Sequence, residues 1–142
     1  MKILMFTLLI SSVIYAKNPY TVTFIETHRG SYKNGVFKKA KPEFKKRYII
    51  DEDERSVIRT SVTRLKDGEI IEDSTRYIIT NLNKDTHHYL GDEYKPNQTI
   101  INACGVPGTH ATELLQIGTD FASTSKVTRG VMYISFGKVV KE

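Results

Sequence analysis

The chain has 142 residues, 21 Lys and Arg against 16 Asp and Glu, a formal charge of +5 and one cysteine. That length suits one domain able to bury about two-thirds of its unfolded surface. A lone cysteine excludes an internal disulfide or a cysteine-rich zinc site, and so modest a charge argues against nucleic-acid binding.

Met1-Lys2, the apolar run Ile3 to Ile14 and the small residue Ala16 have the layout of a secretory signal peptide. About a dozen apolar residues are too few to span a bilayer as a helix. The expectation is a leader over 1–16 and a β domain over 17–142. The product would be exported, periplasmic or secreted, from a bacterial source. Removing Lys2 leaves 20 basic against 16 acidic residues, or +4.

Tyr20 to Thr27 alternates, with Tyr20, Val22, Phe24 and Glu26 in one phase, and predicts a first strand. Arg29-Gly30 then predicts a turn, and Asn34-Gly35 a tight hairpin turn. Lys38, Lys39, Lys41, Lys45, Lys46 and Arg47 form the most basic stretch, with aromatic neighbours Phe37, Phe44 and Tyr48 and an interruption at Pro42. Proline marks an edge or connecting segment. The run reads either as a patch for an anionic surface or as lysines that protect an edge and are neutralised by Asp51 to Glu54.

Arg55 to Asn81 predicts one long hairpin about Asp67-Gly68. A two-residue turn would pair Lys66 with Glu69, Ile58 with Tyr77 and Val57 with Ile78. It would also set Arg59 directly opposite Arg76. A three-residue loop would instead place Val57 opposite Tyr77. Facing arginines beside Tyr77 are either splayed into solvent or form a guanidinium site for an anion, because a buried unpaired charge is too costly to keep.

Further strands are predicted over Thr86–Leu90, Gln98–Cys104 and Gly130–Val140, and a short helix over 110–117 capped by Thr109. Cys104, His110 and Asp120 can be written as nucleophile, base and orienter, but a lone cysteine ending an apolar strand is ordinarily packing. His87 and His88 are adjacent and would point to opposite faces of a strand, so no metal or cofactor is expected.

About eight short strands predict a mainly β, antiparallel meander. It would be either a closed or nearly closed barrel of lipocalin-like architecture, or a sandwich. The Gly-x-Trp of many lipocalins is absent, and architecture alone assigns no function. The leading expectation is a non-enzymatic exported barrel for a small amphipathic or anionic ligand, using Arg59, Arg76 and Tyr77. The alternative is an envelope interaction or inhibitor module that meets a protein or anionic surface through its basic and aromatic residues.

Overall fold

The computed structural model describes residues 19–90, 92–106 and 113–142. These form nine strands: β1 (Tyr20–Lys33), β2 (Val36–Ala40), β3 (Phe44–Asp51), β4 (Ser56–Arg64), β5 (Ile70–Leu90), β6 (Glu93–Gly105), β7 (Glu113–Gly118), β8 (Phe121–Thr128) and β9 (Val131–Lys141). Strands β3 to β9 pair in chain order, all antiparallel, and β9 returns to β1 from Val22↔Lys141 to Tyr32↔Met132. The result is a closed eight-stranded barrel with one extra strand, β2, as the meander pattern predicts. Closure removes the edges of the barrel itself. Among the described residues, free edges remain on β2 and on the part of the β5–β6 hairpin that extends past the pairings with β4 and β7.

Strand β1 serves two partners on one side. Its first half pairs with β3, from Tyr20↔Ile50 to Ile25↔Lys45, and its second half pairs with β2, from Arg29↔Ala40 to Lys33↔Val36. A bulge between Glu26 and His28 separates the halves. The chain therefore does not turn at Arg29-Gly30, where a turn is predicted; it runs on to Asn34-Gly35. There φ values of 50° and 79° make the predicted tight turn. Pro42 lies between β2 and β3, where no ladder hydrogen bond is required.

The β4–β5 hairpin differs from the predicted register. Its base pairs Val57 with Tyr77, Ile58 with Arg76 and Arg59 with Thr75, while nearer the turn Ser61 pairs with Glu72 and Thr63 with Ile70. Gly68 (φ 71°) sits in a wider turn closed by hydrogen bonds from Arg64 N–H to Glu69 and from Gly68 N–H to Arg64. A bulge at Thr60 absorbs the slip. It lets Val57 and Tyr77 bury together, which the tighter turn would have prevented.

The predicted helix is likewise replaced. Residues 113–118 form β7, and 110–112 lie outside the described residues. Leu115 and Ile117 point into the core while Leu114 and Gln116 face outward, so period-two packing prevails over a marginal helix.

Inward residues come in three layers that repeat along the strands. Val22, Ile50, Ile117 and Val139 line a cavity of about 430 Å³ at the end where β1 begins. Glu26, Lys46, Glu113 and Ser135 line a second cavity of about 380 Å³ at the opposite end. Between them along the same strands stand Phe24, Tyr48, Leu115 and Gly137, all buried. This middle layer divides the lumen, because an eight-stranded barrel is only about one set of side chains wide. Gly137 is required at the β1–β9 seam, where a Cβ would stand 1.9 Å from the Ile25 carbonyl oxygen.

Candidate functional site

The second cavity holds the larger cluster of charges. The first is bordered by Glu52, which pairs with Lys84 at 3.0 Å and accepts from the Tyr20 hydroxyl, and by Lys141. Each charge of the larger cluster comes from an inward position of a strand whose other inward residues are apolar. Glu26 continues the phase of Val22 and Phe24, Lys46 sits between Phe44 and Tyr48, and Arg59 follows Val57. Alternation carries these residues inside whatever their polarity.

Arg59 is 13% exposed and almost fully committed. Its Nη2 donates to Asp73 Oδ2 at 2.7 Å and to Thr75 Oγ1 at 3.3 Å. Its Nη1 donates to the Tyr77 hydroxyl at 2.9 Å and to Glu113 Oε2 at 3.3 Å. Only Nε is left without a partner. Burial alone would raise the Asp73 carboxyl, but hydrogen bonds from Thr75 and Arg59 outweigh it and hold the group below the ordinary range. Burial also raises the Tyr48 and Tyr77 phenols far above the usual tyrosine range, so both stay neutral.

Glu26 is spent differently. Its Oε2 accepts the backbone N–H groups of Glu43 and Phe44 at 2.9 and 3.1 Å, tying the bulge of β1 to the start of β3. Its Oε1 lies 3.9 Å from Lys46 Nζ, too far for a hydrogen bond. That is the nearest carboxylate Lys46 has.

Lys46 is therefore the odd group. Its side chain is 12% exposed, it makes no hydrogen bond among the described residues, and its ammonium stands 5.7 Å from the centre of the Phe24 ring. Burial pushes its pKa down; Glu113 and Glu26 offset this in part, while Arg59 and Arg29 add to it. An ammonium offers three donors. Here they face a cavity flanked by Phe44, Val62, Tyr133 and Ile134.

The predicted arginine pair does not form. Arg59 faces Thr75, and Arg76 is exposed on the outer face, one residue out of phase with Tyr77. Tyr77 is buried in the core and touches the site through its hydroxyl. The basic stretch divides as well. Lys38, Lys39, Lys41 and Lys45 are exposed, Lys46 points into the barrel, and Arg47 bonds the carboxylate of Glu142 rather than Asp51 to Glu54. Asp73 serves Arg59, while Arg64 bonds Asp67 and Glu69.

Cys104 lies on the outer phase of β6 beside the buried Ala103, and His110 lies outside the described residues, as do the side chains of His87 and His88. No cluster of three metal-ligating residues occurs among the described residues.

Glu113 was not singled out in the sequence, and Lys46 was grouped with the surface lysines. Lys46 carried a usable signal, since it shares a parity with Phe44, Tyr48 and Ile50. Glu113 carried none, because its strand reads as a helix. Comparisons with family models, with curated proteins and with solved structures return no match.

Proposed function

We propose that the protein is an exported, non-enzymatic binding barrel whose charged cavity takes a small amphipathic anion. The observation that carries this reading is Lys46: a largely buried side chain whose ammonium makes no hydrogen bond among the described residues and opens onto a cavity of about 380 Å³. An under-satisfied buried charge lowers stability. A carboxylate or phosphate group of a ligand would supply the missing partner.

The remaining lining suits the rest of such a molecule. Phe44 and Val62 offer apolar contact, and Tyr133 offers a ring with a polar tip. Arg59 borders the cavity as a fixed positive charge, its guanidinium held in place by Asp73 and Glu113. Binding of this kind uses charge and shape and requires no nucleophile. Export rests on the leader-like 1–16 segment.

Native mass spectrometry of the purified protein should reveal a co-purifying anion. Calorimetric titration with octanoate and with octyl phosphate should separate the two head groups. Lys46→Met should weaken either by about 1.5–3 kcal/mol, the worth of a hydrogen bond to a charged group, while raising the thermal midpoint. Undiminished binding by a folded Lys46→Met variant would rule out this site.

A further inference from the structure

On the outside of the barrel, four side chains from four adjacent strands stand directly opposite one another in the ladder. Phe37 of β2 pairs with Tyr32 of β1, Tyr32 with Met132 of β9, and Met132 with Val127 of β8. All four are exposed, Phe37 at 57% and Val127 at 54%. Ile134, also exposed, lies two residues along β9 on the same face. Isolated exposed apolar residues are unremarkable, but an unbroken row across four strands marks an interaction surface.

The charge around this row has one sign. Segments 29–41 and 126–134, which build the two neighbouring hairpin tips, contain no Asp or Glu. They contribute Lys33, Lys38, Lys39, Lys41, Lys126 and Arg129, all exposed and none in an ion pair among the described residues. Lys126, in the inward phase of β8, stands at the mouth of the charged cavity. Arg29, the remaining cation there, is held by Glu43. The β4–β5 tip at the same end of the barrel is the opposite case. It exposes Leu65, Ile70 and Ile71 among three acidic residues, Asp67, Glu69 and Glu72, and two basic ones, Lys66 and Arg64, the latter paired with Asp67 and Glu69.

We infer that the joined β1–β2 and β8–β9 tips dock on an anionic lipid surface, with Phe37, Tyr32 and Met132 entering the interface and the lysines meeting the head-group phosphates. A second copy of the chain fits poorly. Pairing two β2 edges would bring Lys38, Lys39 and Lys41 of each copy onto adjoining strands, where like charges repel. A protein partner also fits less well, since protein interfaces favour Arg and deplete Lys, and five of the six free cations are Lys. Lysine suits a diffuse field of phosphates, to which each near the surface adds about a fivefold factor. Aromatic and aliphatic side chains beside such lysines are the composition of an interfacial anchor.

The chain has no tryptophan, so a single one reports its own surroundings. The full chain carrying Phe37→Trp is mixed with phosphatidylcholine vesicles, with or without phosphatidylglycerol. Its emission should shift to the blue only with phosphatidylglycerol and should recover at high salt. Ile70→Trp, on the acidic tip, should not shift. Any anchoring by residues 1–16 is common to both variants and would move both alike. Adding Lys38→Gln, Lys39→Gln and Lys41→Gln to Phe37→Trp should weaken vesicle binding about a hundredfold.

The proposal is overturned by an unshifted Phe37→Trp, by equal shifts at both positions, by indifference to phosphatidylglycerol, or by affinity unchanged after the lysines are neutralised. These variants retain Lys46 and Arg59. Octanoate binding by the cavity therefore reports separately on the proposed function.

Discussion

The two halves of the barrel lumen are built by the same strands and the same alternation, yet they solve opposite problems. At one end Val22, Ile50, Ile101 and Ile117 face one another and need nothing but contact, with the Glu52–Lys84 pair beside them. At the other, Glu26, Lys46, Arg59, Asp73 and Glu113 share the interior, and each charge must be answered by a named partner. The first half stabilises by burial, at roughly 25 cal/mol per Å² of apolar surface. The second does so only where the hydrogen-bond geometry is good, and at Lys46 it falls short. A fold selected for stability alone would fill both halves alike, so the shortfall is where function is to be sought.

The largest expected effect comes from the layer that separates the halves. Phe24→Ala empties a fully buried ring position and should cost about 3–5 kcal/mol in denaturant unfolding. Arg59→Met should cost about 3 kcal/mol, because Asp73 and Glu113 would keep their burial and lose their cation. A loss well under 1 kcal/mol would mean that solvent already screens the charged half.

Lys46→Met should act in the opposite direction, stabilising by about 1 kcal/mol, since Glu26 retains its two backbone donors. The pH dependence carries the same sign. With its folded pKa below the ordinary 10.5, Lys46 binds a proton less readily in the folded chain than in the unfolded one. Stability therefore rises with pH between the folded value and 10.5, and this rise should be missing from the variant.

Asp73 gives a slope of the same sign in the acid range, there because the ionised carboxylate is favoured by folding. Its folded pKa lies below the ordinary 3.8, so the stability it contributes is present above that value and lost as pH falls through the folded pKa. Asp73→Asn should flatten that acid limb of the unfolding curve.

The smallest effect is expected outside the barrel. Arg76→Ala should leave octanoate affinity unchanged and stability within about 0.5 kcal/mol, because the side chain lies on the exposed face. A clear loss of ligand affinity would restore Arg76 to the site.

Part of this arrangement was readable from local pattern. Tyr20, Val22, Phe24 and Glu26 share one phase, Asn34-Gly35 turns where its conformational preference says it should, and Val131 to Val140 alternates through the closing strand. The strand count and closed meander follow from such local signals, which depend on the two-residue period of the extended chain. The membership of Lys46 in the interior obeys the same rule, and composition obscured it: five other cations in the same stretch drew attention to the surface.

The partners of Arg59 could not be read in this way. The wider turn at Gly68 and a bulge at Thr60 together set the register of β4 against β5, which puts Thr75 rather than Arg76 opposite Arg59 and leaves Arg76 exposed. Glu113 reaches Arg59 from a strand 54 positions away, through a barrel that closes only because Gly137 admits the backbone of β1. By itself the sequence determined which residues share a face along the unbulged stretches of β1, β3 and β9, because that depends on neighbours two positions apart. Only the tertiary structure decided which charges meet, because register and closure are set by packing across strands, where one residue of slip exchanges inside for outside.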